Sequence, residues 1–207
     1  MLDDERCKCE NLIFTMNLIA GHVKKMSGDL DIKSVSKFVC KLVSAKKDLF
    51  RVFIMGAGRS GLVGRSFAMR LMHLGFTVFV VGETTTPAVH SDDIVIAISG
   101  SGETPSIVSL GKITKDIGAT LIAITSNPHA ALAGISDITV KIRGRTGDLA
   151  EEGYLERHMK GKYRTLTPMG TTFEISTMIF LDSVIAELMV LIDATEDDLK
   201  KRHSVFD

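Results

Sequence analysis

Two glycine-rich runs are the first places in this 207-residue chain where residue types and spacing could do chemistry. Ser99-Gly-Ser-Gly-Glu-Thr104 follows the apolar run Asp93–Ile98, and Pro105 opens a helical pattern after it. Three hydroxyls, two glycines and a helix N-terminus thus fall within six residues. Glycines let backbone N–H groups turn toward a ligand, hydroxyls add hydrogen bonds, and the helix dipole favours negative charge. That is a cradle for an anion. Gly56-Ala-Gly-Arg-Ser-Gly61 likewise stands between a strand-like run and a helical pattern. Read literally it is the dinucleotide fingerprint G-x-G-x-x-G, with Glu83 ending the next strand where a ribose-binding acid belongs. Arg59 and Ser60, however, add a guanidinium and a hydroxyl that suit a terminal phosphate at least as well. A dinucleotide fold needs one such loop. Two at adjacent strand ends point to a single phosphomonoester held on several sides.

Glu174 is the candidate base. On a helix it shares a stripe with Met178, Leu181 and Ile185, all apolar. A single carboxylate there could take a proton from one carbon and return it to the next, which is what moving a carbonyl along a sugar requires. Thr171-x-x-Glu174 is also a capping box, in which the glutamate only ties down a helix N-terminus. Spacing alone favours the cap. No His pair at i, i+4 and no carboxylate cluster marks a metal site. Cys7-x-Cys9 has no second pair to complete one, so a metal-free mechanism is expected.

The elements that must position these residues follow from periodicity. Leu12, Met16, Ile19, Val23 and Met26 space an amphipathic helix over 10–26, and Val35, Phe38, Val39 and Leu42 a second. Arg51–Met55, Thr77–Val81, Asp93–Ile98, Thr120–Ile124 and Ile138–Ile142 are candidate strands, with a helical stretch from Leu62 to Leu74 after the first. Several are apolar on both faces, as a parallel sheet covered by helices on both sides requires. An α/β fold with five parallel strands, doubly wound, is the expectation, in one domain over 1–207 with N-terminal helices over about 3–47. In such sheets ligands sit beyond the carboxyl ends of the strands. The polar segment from Gly144 to Thr167 reads equally as a solvated excursion or a lid. The last long helix, about 170–193, is apolar almost all round and predicts a subunit interface.

Composition excludes several classes. Lys plus Arg equal Asp plus Glu at 25 each, and there is no Trp and only two Tyr, so neither a nucleic-acid nor an acidic-membrane partner is expected. Three cysteines, an odd number, argue against a disulfide scaffold and for a reducing compartment. The acidic start Asp3-Asp-Glu5 is unlike a signal peptide, and Ile175–Ile192 carries Asp182 and Glu187, unlike a lipid-spanning helix. A soluble, cytoplasmic protein is expected.

Gly56-Ala-Gly-Arg-Ser-Gly61, Met72-His-Leu-Gly-Phe76, Gly82-Glu-Thr-Thr-Thr-Pro87, Ser99-Gly-Ser-Gly-Glu-Thr104 and Pro168-Met-Gly-Thr-Thr-Phe-Glu174 together resemble the sugar isomerase (SIS) domain family. Within it they are similar to the 6-phospho-3-hexuloisomerases, which interconvert 3-hexulose 6-phosphate and fructose 6-phosphate. The resemblance extends to Lys201-Arg-His203. It implies a three-layer α/β/α sandwich with a five-stranded sheet, no cofactor, and a homo-oligomer, tetrameric before dimeric, with sites near subunit boundaries. It also implies a place in the ribulose monophosphate pathway, in series with a hexulose-phosphate synthase. By the same resemblance Ser60, Ser99, Ser101 and Thr104, with the backbone of Gly100 and Gly102, hold the phosphate, and Glu103 belongs to the same substrate-binding loop. Arg59 contacts the substrate and Glu174 is the base. His73 and His203 fall where relatives carry histidines suspected of ring opening or proton relay, although satisfied structural roles stay open for both. Arabinose 5-phosphate is the competing substrate within the isomerases. A non-catalytic phosphosugar-binding module and a nicotinamide-dependent oxidoreductase are the rivals from other classes.

Overall fold

The structure, a computed structural model, describes residues 9–144 and 170–203. Past Gly144, the polar segment that reads as excursion or lid lies outside the described residues, as does Cys7. Helices α1 (Glu10–Gly28) and α2 (Ile32–Asp48) precede β1 (Val52–Gly56), α3 (Gly58–His73), β2 (Val78–Val80) and β3 (Ile94–Ile98). Then come α4 (Pro105–Ile117), β4 (Thr120–Thr125), α5 (Ala131–Ile135), β5 (Ile138–Lys141), α6 (Thr171–Leu191) and α7 (Glu196–Lys200). The five strands form one sheet in the order β2-β1-β3-β4-β5, and every neighbouring pair is parallel.

Successive side chains of a strand point to opposite faces, so strands without polar alternation fill two cores. Val52, Ile54, Ile94, Ile96 and Ile98 pack with Phe38 of α2, Phe67 of α3 and Leu181 of α6. Phe53, Met55, Val95 and Ala97 pack with Ile107 of α4 and Leu132 of α5 on the other face. Three layers result, as expected. Phe38 lies 6.2 Å from Phe180 and 6.4 Å from Phe67 between ring centroids, so aromatic packing ties α2, α3 and α6 together. At the amino ends of β1 and β3, Arg51 donates to both carboxylate oxygens of Asp93, at 2.9 and 2.6 Å. The His90 N–H also donates to Asp93, and these bonds satisfy a carboxylate that is nearly buried.

Two helices depart from the sequence pattern. Of the apolar face expected on α1, Met26 is buried, whereas Leu12 and Met16 are 54% and 61% exposed. The carboxyl half of α1 is fastened to the end of β5, where His22 Nε2 donates to the Arg143 carbonyl at 2.9 Å and Asp29 pairs with Arg143. Leu12 and Met16 lie before that attachment, where this chain leaves them uncovered. Helix α6 buries Phe180, Leu181, Val184 and Leu188 but exposes Ile179, Val190 and Leu191 on its outer side. Asp182, Ser183 and Glu187 share that side, so it mixes polar groups with apolar surface that one chain leaves uncovered. Among the described residues no helix is long and apolar enough to cross a membrane.

Candidate active site

From β1 the chain crosses toward β2, and from β3 it crosses toward β4, so a crevice opens between the carboxyl ends of β1 and β3. Both glycine runs end there. A cleft of about 540 Å³ is walled by Arg59 and Ser60, by Ser99–Ser101 and Thr104, and by Phe173 and Glu174. The sequence pattern starts the helix after β1 at Leu62, but α3 begins at Gly58. Arg59 and Ser60 therefore sit on its first turn rather than in a loop. The amino ends of α3, α4 and α6 all meet the cleft, and the unpaired N–H groups and dipoles of three helices favour an anion there.

The loop after β3 is held in shape before any ligand arrives. Ser99 Oγ and Thr104 Oγ1 are 3.1 Å apart, and the Gly102 N–H donates to Ser99 Oγ at 3.2 Å. Thr104 is the N-cap of α4, yet its hydroxyl makes no capping bond and stays on the cleft side. Gly100 is required by close approach: a Cβ there would stand 3.0 Å from the Phe173 ring. Glu103, expected among the substrate-binding residues, is turned away. Its Oε1 accepts the Ala131 N–H at 2.8 Å, so the carboxylate ties this loop to the start of α5. The Gly102 carbonyl accepts the Leu132 N–H at 3.0 Å, a second tie between this loop and α5.

Glu174 stands at the other wall, with a side chain 13% exposed and Arg59 Nε 3.4 Å from its Oε2. The capping box read in Thr171-x-x-Glu174 does not form. Gly170 is the N-cap of α6, with no side-chain capping bond, which shifts Glu174 one position beyond the box. Gly170 has φ +84°, and a Cβ on it would lie 2.6–2.7 Å from the Glu174 carboxylate oxygens. The carboxylate thus lies folded over a residue that has no side chain to displace it.

The two candidate histidines are elsewhere in the chain. His73 ends α3, roughly 22 Å along the helix from Gly58 at 1.5 Å per residue. It is buried and lies 5.0 Å from His203 between ring centroids. Glu83, the acid that a dinucleotide would need on its ribose, is paired with Arg65 at 2.6 Å. Ser126, Gly144 and Phe173 line the cleft and were not among the expected site residues. The rule that ligands lie beyond strand ends could have flagged Ser126, which directly follows β4.

The model of the SIS domain matches residues 45–151, just over half the chain and inclusive of both glycine runs. The chain belongs to the SIS domain family. A relative in this family from Methanocaldococcus jannaschii, named 3-hexulose-6-phosphate isomerase, is 39% identical over 95% of this chain and 97% of its own length. Another of that name, from Bacillus subtilis, is 40% identical over 67% of this chain and 70% of its own. A crystal structure of a SIS-fold protein from Methanococcus jannaschii, with an inferred function of 3-hexulose-6-phosphate isomerase, superposes with a TM-score of 0.74. It is 35% identical and the match covers 92% of this chain and 97% of that one.

Proposed function

We propose that the chain is a 3-hexulose-6-phosphate isomerase, interconverting D-arabino-3-hexulose 6-phosphate and D-fructose 6-phosphate. The observation that carries this reading is one carboxylate facing a preformed anion cradle across a single cleft. Ser60, Ser99, Ser101 and Thr104, with the Gly100 backbone and three helix ends, hold the phosphate. Fixing that group positions the C2–C3 bond beside Glu174 and restricts the substrate's motion. Glu174 removes the proton from C2 of the 3-hexulose, a proton passes from O2 to O3 across the resulting cis-enediol, and Glu174 returns its own proton to C3. The carbonyl then stands at C2. Arg59 hydrogen-bonds the oxygens on which negative charge develops. The route calls on no group beyond these side chains and backbone donors.

The exposed apolar faces of α1 and α6 support a homo-oligomer. That it is a tetramer before a dimer, acting in the cytoplasm in series with the synthase that makes its substrate, rests on the resemblance to the hexulose-phosphate isomerases. Within one chain His73 and His203 are at the far end of α3 from Glu174. A part in turnover would need them to come from a neighbouring subunit.

The test is a coupled assay in which 3-hexulose 6-phosphate, generated in place, is converted to fructose 6-phosphate. Rapid turnover supports the proposal. Turnover of arabinose 5-phosphate instead would replace the substrate. Tight binding of several sugar phosphates with no turnover would make the chain a binding module.

A further inference from the structure

Three donors converge on one backbone oxygen at the edge of the cleft. The Gly100 carbonyl accepts from Ser126 Oγ at 2.6 Å, from the Ser126 N–H at 3.1 Å and from Thr125 Oγ1 at 3.3 Å. One partner is enough to satisfy a buried carbonyl, so this orientation is over-determined. The reason lies in the other half of the same peptide unit. A planar trans peptide points its C=O and the following N–H in opposite directions. The Gly100 oxygen is drawn toward the end of β4, on one side of β3. The Ser101 N–H therefore points to the other side, toward β1 and the first turn of α3, across the crevice. It donates to no acceptor among the described residues. Gly100 leaves ψ on one side of this peptide unit sterically free, so the clamp is what fixes its orientation.

We propose that Ser126, backed by Thr125, is a positioning residue of the phosphate cradle, clamping the Gly100 carbonyl so that the Ser101 N–H stays aimed at the substrate's phosphate. The inference rests on the reading that the Ser99–Thr104 loop holds that phosphate. The two clamping residues differ usefully. Ser126 lines the cleft, whereas Thr125 is fully buried and does not, its Oγ1 also accepting the Asn127 N–H at 3.2 Å.

The experiment is calorimetric titration with fructose 6-phosphate and with inorganic phosphate, beside steady-state kinetics. The proteins are wild type, Thr104→Ala, Ser126→Ala and Thr125→Val. Thr104→Ala tests the underlying reading alone, since unchanged affinity there would place the phosphate elsewhere. With the cradle upheld, Ser126→Ala should weaken both ligands roughly five- to tenfold and Thr125→Val about two- to threefold, the range for one lost neutral hydrogen bond. KM should rise in parallel while kcat changes less than about twofold. Weakening in Ser126→Ala with wild-type affinity in Thr125→Val would mean that Ser126 touches the phosphate itself, and would overturn the positioning role. Wild-type affinity in both variants would overturn it too. A further readout is independent of whether Thr125→Val folds. The Ser101 amide resonance should move on phosphate addition in the wild type and move less, at saturation, in Ser126→Ala. An equal displacement in the two proteins would refute the clamp.

Discussion

Glu174 shows how one carboxylate can be legible as a residue and ambiguous as a role. Its apolar stripe with Met178, Leu181 and Ile185 could be read from spacing, but the first residue of the helix could not. Gly170 and Thr171 are both acceptable N-caps, and the choice between them decides whether the glutamate is a cap or faces the cleft. With Gly170 as the cap, Glu174→Gln removes the proposed base without removing a capping bond. Turnover should fall by roughly 10²–10⁴ while the melting temperature and the affinity for fructose 6-phosphate stay near wild type. Near-normal turnover would eliminate Glu174 as the base. Gly170→Ala makes the complementary test, because it leaves the carboxylate in the chain but takes its place. A non-glycine residue at φ +84° is strained by about 1–2 kcal/mol, and its Cβ would collide with the Glu174 oxygens. Both stability and kcat should drop in this variant, measured by urea unfolding and steady-state turnover. Full activity would show that Glu174 works from another position. Glu103 presents the opposite case. Its place in the glycine-rich loop after β3 was visible, whereas its partner, the Ala131 backbone, comes from a connection that local pattern does not reveal.

Strands were the most legible elements, because a residue run apolar on both faces has few other places to go than the middle of a covered parallel sheet. Ile94–Ile98 is buried throughout and was read almost to its ends. The half-buried β2 is shorter than its apolar run, as befits an edge strand with one paired side. Helix starts were less legible: glycines that looked like loop at Gly58 and Gly61 belong to the first turn of α3. The pairing between strands left a single trace in the sequence, Asp93, an acid at the threshold of an apolar strand. The structure pairs it with Arg51 across the amino ends of β1 and β3, the edge of the sheet opposite the cleft. Asp93→Ala would strip the guanidinium of its carboxylate and the His90 N–H of its acceptor. For a largely buried pair the expected loss is about 3 kcal/mol in urea unfolding. KM for the sugar phosphate should be unchanged, since nothing in the cleft touches this pair. A raised KM with normal stability would contradict that separation between framework and site.

For the whole molecule the informative surface is the one that a single chain leaves apolar. Helix α6 announced its excess in the sequence, since its outer face sets Ile179 and Val190 beside Asp182, Ser183 and Glu187, but what covers it is not written in its own residues. Leu62, Met69 and Met72 are exposed along α3, Ile179 and Val190 along α6, and Leu12 and Met16 along α1. Both α1 and α3 pack on α6 over the same face of the sheet. Exposed apolar surface on this scale is unusual for a soluble monomer. A groove of about 340 Å³ runs between Leu62, Met178 and Ile179 and ends at Arg59 and Glu174, so a second copy seated on it would border the cleft. Light scattering should therefore give a multiple of the 22.5 kDa chain, with four copies the expected number. Replacing both Leu62 and Ile179 with Glu puts unpaired charge into that contact, which costs several kcal/mol when buried. The double variant should shift toward 22.5 kDa with its helix content intact by circular dichroism. Its turnover should fall with the loss of assembly, because the groove and the cleft share Arg59 and Glu174. A wild-type protein that runs as a monodisperse monomer at micromolar concentration would end the oligomer proposal. A double variant that stays assembled would move the interface to another face.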